Sequence, residues 1–134
     1  MKPYGINDSR LVFLKHLIEV LGWKESNWNP MAVGDNGKAI GVWQIWDIVI
    51  ADVNRLYDTQ YVWPRDAANV ATARRICWLY LSFYFIHTKK THPELTMSNE
   101  EMCSRIWNGG PTGYAKTATN VYWAGVKELL NKKV

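Results

Sequence analysis

One glutamate in this sequence has neighbours that favour acid chemistry. Glu25 lies between Trp23 and Trp28, just beyond the predicted end of an apolar helix. Because indole rings exclude the water that an ionised carboxylate needs, we expect the pKa of Glu25 to rise. A carboxyl group that stays protonated near neutral pH can donate its proton to a leaving group. The alternative is that Glu25 is an ordinary exposed residue of a surface loop.

A second carboxylate follows in a turn-forming segment. Asp35 belongs to the Gly-Asp-Asn-Gly segment at 34–37 and stands nine residues before Gln44. An Asp before Asn-Gly commonly bonds its own backbone in a turn, which is one interpretation of Asp35.

Apolar residues recur at helical spacing along most of the chain, which predicts an all-α or mainly α fold of four or five helices. The segment between Asn27 and Gly41 has Asn-Pro, Gly-Asp and Asn-Gly turn signals, and it predicts an irregular loop or short hairpin. Asp66 is the predicted cap of the third helix, and Ser98 with Glu101 forms a predicted capping box for the fourth. The predicted helices are Leu11 to Gly22, Gln44 to Leu56, Ala67 to Phe85, Ser98 to Trp107 and Gly113 to Leu130.

The composition predicts one domain over residues 1–134, because a chain this long that is 48% hydrophobic can bury one core. Lys and Arg outnumber Asp and Glu by 16 to 12, which favours a polyanionic partner, although the basic residues are scattered as on an ordinary solvated surface. No arginine-rich helix or nucleic-acid motif is present, so nucleic acid is not a predicted partner. The sequence shows neither a membrane span nor a secretory signal at its start.

Metal and redox chemistry are not predicted. Cys77 and Cys103 are the only cysteines, and we expect two buried free thiols, with a single bridge as the alternative. The histidines form no HExxH pattern and the cysteines no CxxC pair. We therefore expect no metal and no cofactor.

Four short segments occur together in an informative order. Glu25-Ser26 is followed by a Gly-x-x-Gln box at 41–44, by Asp66-x-x-Asn69, and by Ile-Trp-Asn-Gly-Gly at 106–110. In this order they resemble the motifs of the lytic transglycosylase and goose-type lysozyme superfamily. The resemblance spans most of the chain, and it implies a lysozyme-like helical domain that cleaves peptidoglycan glycan strands.

The resemblance also implies roles for individual residues. Glu25 would be the catalytic acid, and the predicted substrate-binding residues are Ser26, Trp43, Gln44, Trp107, Asn108 and Tyr114. Aromatic faces suit sugar rings, so two of the eight tryptophans are expected in the groove, while Trp78 and Trp123 are assigned to the core. Asn108 could instead be a helix C-cap beside Gly109.

The segment at 34–37 is closer to goose-type lysozymes, in which a Gly-Asp-x-Gly element also precedes the Gly-x-x-Gln box. The resemblance thus makes Asp35 the candidate second carboxylate, which could direct water in a hydrolytic muramidase that cuts the MurNAc–GlcNAc β-1,4 bond. Asp47 is a weaker candidate for the same role. A lytic transglycosylase, which needs no water, is the alternative reaction, and a non-catalytic glycan-binding module is the alternative of another class. A monomeric phage lysin without stable membrane association, or a bacterial protein exported by another route, is the expected context.

Overall fold

The computed structural model describes residues 1–132, and the mainly α prediction is confirmed. Within this range there are six α-helices and one two-stranded antiparallel sheet. The elements are α1 (Val12–Ser26), β1 (Val33–Gly34), β2 (Ala39–Ile40), α2 (Asp47–Tyr57), α3 (Arg65–Ala68), α4 (Val70–Thr91), α5 (Asn99–Gly109) and α6 (Asn120–Asn131).

Helix α4 is the centre of the core. It buries residues on most of its circumference, from Ala73 to Thr88, and α1, α2, α3 and α5 all pack against it. A helix that is apolar nearly all round has to be covered on every side, which explains its central position. Cys77 and Trp78 are buried in this helix, and Cys77 and Cys103 are both free thiols, as expected. Trp123, also assigned to the core, is partly buried against it.

Helix α1 does not end near Gly22, as predicted, but continues to Ser26. Glu25 therefore lies in the last helical turn and not beyond it. A Cβ on Gly22 would lie only 2.7 Å from Trp28 Nε1 and 2.8 Å from Val42 Cγ1. Gly22 therefore lets Trp28 and Val42 pack closely against α1 without ending the helix. The helix ends at Asn27, which adopts a left-handed conformation with φ 54°.

The predicted loop after α1 contains the expected short hairpin. Val33 pairs with Ile40 and Gly34 with Ala39, and a 3₁₀ turn at Asp35–Gly37 joins the two strands. After β2 the chain turns back, and Ile45 forms an isolated antiparallel bridge with Ile40.

The predicted start of α2 at Gln44 is wrong. Gln44 has φ 53°, and α2 begins at Asp47. The predicted Asp66 cap is also wrong, because Asp66 lies inside α3 and accepts a hydrogen bond from Val62 N at 2.7 Å. The chain extends at Asn69, whose side chain accepts from Thr72 N at 3.0 Å and caps α4.

Three other helix ends differ from the prediction. Helix α4 continues to Thr91, well beyond Phe85, and α5 continues past Trp107 to Gly109. The predicted last helix starts late, because Gly113–Ala115 and Thr117–Thr119 form 3₁₀ turns before α6. The start of α5 is as predicted: Ser98 Oγ accepts from Glu101 N at 3.1 Å, although the Glu101 carboxylate bonds Arg105 at 2.8 Å instead of returning to Ser98.

Candidate active site

A cleft of about 890 Å³ brings together residues from five regions of the chain, namely the end of α1, the hairpin region, the exposed side of α2, helix α4 and the end of α5. We call Glu25 with Asp35 the α1 end of the cleft, and Asp52 with Arg55 and Tyr84 the α2 end. Five of the eight predicted site residues line this cleft: Glu25, Asp35, Gln44, Trp107 and Asn108.

Glu25 is half-buried at one end of the cleft. Its Oε2 accepts a hydrogen bond of 2.6 Å from the hydroxyl of Tyr122 on α6. Burial raises the pKa of Glu25 to about 7, and the negative charge of Asp35 acts in the same direction. The Tyr122 hydrogen bond and the positive charge of Lys24 lower it, but burial has the larger effect. Glu25 therefore holds a proton close to neutral pH, as expected, although Trp23 is 53% exposed and Trp28 packs against Trp43.

Tyr122 is a hydrogen-bond donor throughout the physiological pH range. Burial and the neighbouring Glu25 charge raise the pKa of Tyr122 well above its usual value. The Lys24 ammonium lies 5.0 Å from the centre of the Tyr122 ring, a cation–π distance. The Tyr122 hydroxyl fixes one oxygen of the Glu25 carboxyl group, and Glu25 also lines the cleft.

Asp35 is an exposed carboxylate in the hairpin turn. Asp35 and Asn36 both have positive φ, 49° and 57°, a conformation that Asp and Asn tolerate better than most residues. Within residues 1–132 its carboxylate has no hydrogen-bond or ion-pair partner, so the alternative in which it bonds its own turn is not observed. The turn leaves the carboxylate free to bind a ligand or water in the cleft.

Gln44 is fixed by the loop that precedes α2. Its Nε2 donates to Gly41 O at 2.9 Å and to Ala32 O at 3.3 Å. A Cβ at position 34 would overlap Gln44 Oε1, so the glycine beside Asp35 makes room for this carboxamide. Gln44 thus links the segment before β1, at Ala32, to the segment after β2, at Gly41, and it also lines the cleft.

The end of α5 contributes an aromatic ring and an amide to the cleft lining. Trp107 is half-buried and packs edge-on against Tyr80, with ring centres 5.7 Å apart. Asn108 is exposed, and the α5 cap is Gly110 with φ 88°, so the alternative that Asn108 caps the helix is not observed. Both side chains are positioned to contact a ligand.

The prediction for Trp43 is wrong. Its side chain is completely buried, donates to Ile18 O at 2.8 Å and packs edge-on against Trp28. The backbone turns at Gly41 and Gln44, and this turn directs the intervening Trp43 into the core and not into the groove.

Two other predicted contacts are not in the cleft lining. The Ser26 hydroxyl donates to Val42 O at 2.8 Å and accepts from Asn29 N at 3.0 Å, so it joins the end of α1 to the following loop. Tyr114 packs against His92, with ring centres 5.7 Å apart. Asp47, the weaker carboxylate candidate, lies outside the lining as well, in the first turn of α2.

The sequence did not predict several residues of the cleft lining, nor Tyr122, which bonds Glu25 without being part of that lining. Trp46, 39% exposed, replaces Trp43 as the tryptophan of the hairpin side. Tyr122 was missed because it lies 97 residues from Glu25 in the chain, and no local pattern connects the two. The others are Ile48, Val49, Ala51, Asp52, Arg55, Tyr80, Tyr84, Gly110 and Pro111.

A polar cluster lies at the α2 end of the cleft. Asp52 Oδ1 accepts from Arg55, with 2.6 Å to one terminal nitrogen and 3.2 Å to Nε. Asp52 Oδ2 accepts a short hydrogen bond from the hydroxyl of Tyr84 on α4. Both oxygens of Asp52 are therefore occupied, in contrast to those of Asp35.

Neither a metal centre nor a membrane-spanning helix is found in the part of the chain that the structure describes. Residues 1–132 contain no group of three or more His, Cys, Asp or Glu side chains arranged to hold a metal ion. Their helices are too short or too polar to cross a membrane.

Comparison with known proteins identifies the family. Residues 8–129 match the model of the transglycosylase SLT domain. The chain belongs to this family. The match includes every predicted site residue of the SLT domain, and it confirms the resemblance to the lytic transglycosylase and lysozyme-like superfamily, whose members act on peptidoglycan.

A solved structure shows the same fold as this SLT domain. One chain of the crystal structure of Aeromonas hydrophila PliI in complex with Meretrix lusoria lysozyme aligns with a TM-score of 0.70. The alignment covers 97% of this chain and 96% of that one at 20% sequence identity, so it supports the fold alone. No curated protein matches the sequence.

Proposed function

We propose that this SLT domain is a muramidase that hydrolyses the β-1,4 bond between N-acetylmuramic acid and N-acetylglucosamine. One observation carries the proposal: a half-buried Glu25 with a pKa of about 7 shares a cleft with the unpartnered carboxylate of Asp35. An inverting glycosidase needs one carboxyl group that donates a proton and a second that accepts one.

In the proposed reaction Glu25 is the general acid. Its proton passes to the bridging oxygen as the bond from that oxygen to C1 of the muramyl residue breaks. Water attacks C1 from the opposite face, and Asp35 accepts the proton that the water loses. The products are a reducing muramyl end and a free 4-hydroxyl on N-acetylglucosamine. Asp35 then releases its proton to solvent and Glu25 takes one up, which restores both carboxyl groups.

Tyr122 is proposed to be a positioning residue. When Glu25 loses its proton, its carboxylate needs compensation in a half-buried site. The Tyr122 hydroxyl at 2.6 Å supplies a hydrogen bond, and Lys24 supplies a nearby positive charge. The proton donor is thereby held in place before and after the transfer.

The remaining predicted cleft residues are proposed to bind the sugars. Trp107 and Trp46 both present aromatic surfaces to the cleft. Asn108 and Gln44 present amide groups to hydroxyl or acetamido substituents. Trp43, Ser26 and Tyr114 have no place in this proposal.

A lytic transglycosylase reaction is the second candidate, and the family match favours it. There the 6-hydroxyl of the muramyl residue attacks its own C1, leaving a 1,6-anhydro end without using water. Glu25 keeps its role as proton donor, whereas Asp35 has no task. The free carboxylate of Asp35 is the observation that favours hydrolysis.

Mass spectrometry of soluble products from purified peptidoglycan separates these reactions. We expect reducing muropeptides from the wild type and a loss of product formation of about a thousandfold in Glu25→Gln. Glu94→Gln, an exposed glutamate on the α4–α5 connection, is the matched control and should retain activity.

Three results would change the proposal. Anhydromuramic ends would establish the transglycosylase reaction and remove the role of Asp35. Equal activity of Glu25→Gln and wild type would exclude Glu25 as the acid. Glycan binding without products from either protein would favour a non-catalytic binding module.

A further inference from the structure

We infer that Arg55 binds a carboxylate on the lactyl-peptide side of a muramyl glycan and thereby distinguishes that glycan from a neutral N-acetylglucosamine polymer. The inference rests on the proposed function, since it concerns the substrate of the same cleft. It deepens that proposal by assigning substrate choice to a residue outside the proposed acid–base pair.

The charge distribution of the cleft supports this assignment. Three lining residues are acids, namely Glu25, Asp35 and Asp52. Among the lining residues, all of them in the described part of the chain, Arg55 alone has a positive charge. An anionic substituent is therefore favoured at the Arg55 end and disfavoured beside Asp35.

Arg55 is oriented but retains unused donors. Asp52 engages its Nε and one terminal nitrogen, and the Tyr84 hydroxyl in turn holds Asp52. A guanidinium has five N–H donors in a rigid plane, so donors on the other terminal nitrogen remain for a ligand. Its side chain is 67% exposed, whereas that of Asp52 is only 18% exposed. The less exposed Asp52 carboxylate thus holds the Arg55 side chain in place, and the guanidinium faces the cleft.

Arg55 is the last residue of α2 that lines the cleft, and it is not among the groups that shift the pKa of Glu25. The lining residues of α2 run from Ile48 to Arg55, about 10 Å along the helix axis. Lys24 and Asp35 are the charged groups that act on Glu25, whereas Asp52 and Arg55 act on Tyr84. Arg55 can therefore select and align the substrate without contacting the reacting atoms.

Calorimetric binding in a Glu25→Gln background, which prevents turnover, tests the inference with three glycans. They are chitotetraose, which is neutral, a GlcNAc–MurNAc tetrasaccharide with free lactyl carboxylates, and the same tetrasaccharide with peptide stems. Adding Arg55→Gln should weaken binding of at least one carboxylate ligand by about fivefold to tenfold, and chitotetraose binding by less than about twofold. The affected ligand identifies the lactyl or the peptide carboxylate as the group that Arg55 binds.

Two further variants make the result specific. Arg65→Gln is the matched control, because Arg65 is also an exposed arginine paired with an aspartate but lies outside the cleft lining. It should change none of the three affinities. Arg55→Lys keeps the charge without the planar fork and should restore part of the lost affinity. It also provides a second measurement if Arg55→Gln fails to fold.

The outcomes separate this inference from the proposed function. Equal weakening of all three glycans by Arg55→Gln, or weakening of none, would overturn the role of Arg55 and leave the muramidase proposal intact. Failure of the parent protein to bind any of the glycans would overturn both.

Discussion

The two ends of the cleft use the same kind of side chain in opposite ways. At the α1 end, burial leaves Glu25 protonated close to neutral pH, and Asp35 has no partner within residues 1–132. At the α2 end, Asp52 is bonded through both oxygens to Arg55 and Tyr84. A carboxylate whose lone pairs are already occupied is a poor base, whereas a free one can accept a proton from water. The surroundings of these carboxyl groups, and not their residue type, are therefore the basis on which we propose chemistry at one end and substrate binding at the other.

Exchanging the carboxylate for an amide at each end should give the largest contrast. We expect Asp35→Asn to lower kcat about a hundredfold, because it removes the proposed base. Asp52→Asn should instead raise KM, because it loosens Arg55. Steady-state kinetics on soluble glycan strands will measure both parameters.

Asp58→Asn is the matched control for Asp35→Asn. Asp58 is exposed and has φ 56°, like Asp35, but it lies at the end of α2 outside the cleft lining. Asp58→Asn should leave kcat unchanged, and a drop equal to that of Asp35→Asn would attribute the loss to the removal of a surface negative charge and not to the Asp35 carboxylate in the cleft.

Glu25, at the α1 end, should make the free energy of unfolding of the protein depend on pH. Below about pH 4.5 Glu25 is protonated in both the folded and the unfolded chain. Between pH 4.5 and about 7 the unfolded chain ionises first, so the wild type loses stability as pH rises. Glu25→Gln should be free of this loss and exceed the wild type by about 3 kcal/mol above pH 7.

Urea unfolding at pH 4 and pH 8 measures that difference. The difference in unfolding free energy between Glu25→Gln and the wild type should be much smaller at pH 4 than at pH 8. A gain that is the same at both pH values would contradict a raised pKa for Glu25.

Removing the Tyr122 hydroxyl should have a smaller effect that is visible in the pH profile. Its hydrogen bond lowers the pKa of Glu25, so in Tyr122→Phe the alkaline limb of kcat/KM should move to higher pH. We also expect the maximum rate to fall about tenfold, because the carboxyl group loses its orientation. Tyr61→Phe, a half-buried tyrosine away from the cleft lining, should leave the profile unchanged.

The smallest predicted effect concerns the other tyrosine–carboxylate contact. In Tyr84→Phe, Asp52 loses one hydrogen bond, and Arg55 is held less firmly. Affinity for the carboxylate-bearing tetrasaccharide should fall about twofold to threefold, with chitotetraose unaffected. A change in the alkaline limb of kcat/KM in this variant would mean that the two ends are coupled.

The sequence predicted the acid end better than the binding end for a physical reason. Glu25, Asp35, Gln44 and Asn108 lie in short segments whose glycines and turn residues determine the local backbone, so local patterns reveal them. The contact of Tyr84 with Asp52 joins residues 32 positions apart, and that of Tyr122 with Glu25 joins residues 97 apart. Such contacts arise from helix packing, for which the chain has no local pattern.

The errors in the predicted fold have a similar origin. Gly22 has the sequence features of a helix end, but tertiary contacts with Trp28 and Val42 require a small residue there. Trp43 stands beside a motif residue, yet the positive φ of Gln44 reverses the chain and places the indole in the core. In both cases packing determined the outcome, and the local signal alone was ambiguous.

The protonation of Glu25 is the claim on which the chemistry rests, and an NMR titration of the glutamate side-chain carboxyl carbons tests it most directly. The signal absent from Glu25→Gln identifies the residue. A midpoint near pH 7 is the predicted result. A midpoint near 4.5 would show an ordinary exposed carboxylate and would contradict the assignment of Glu25 as the proton donor.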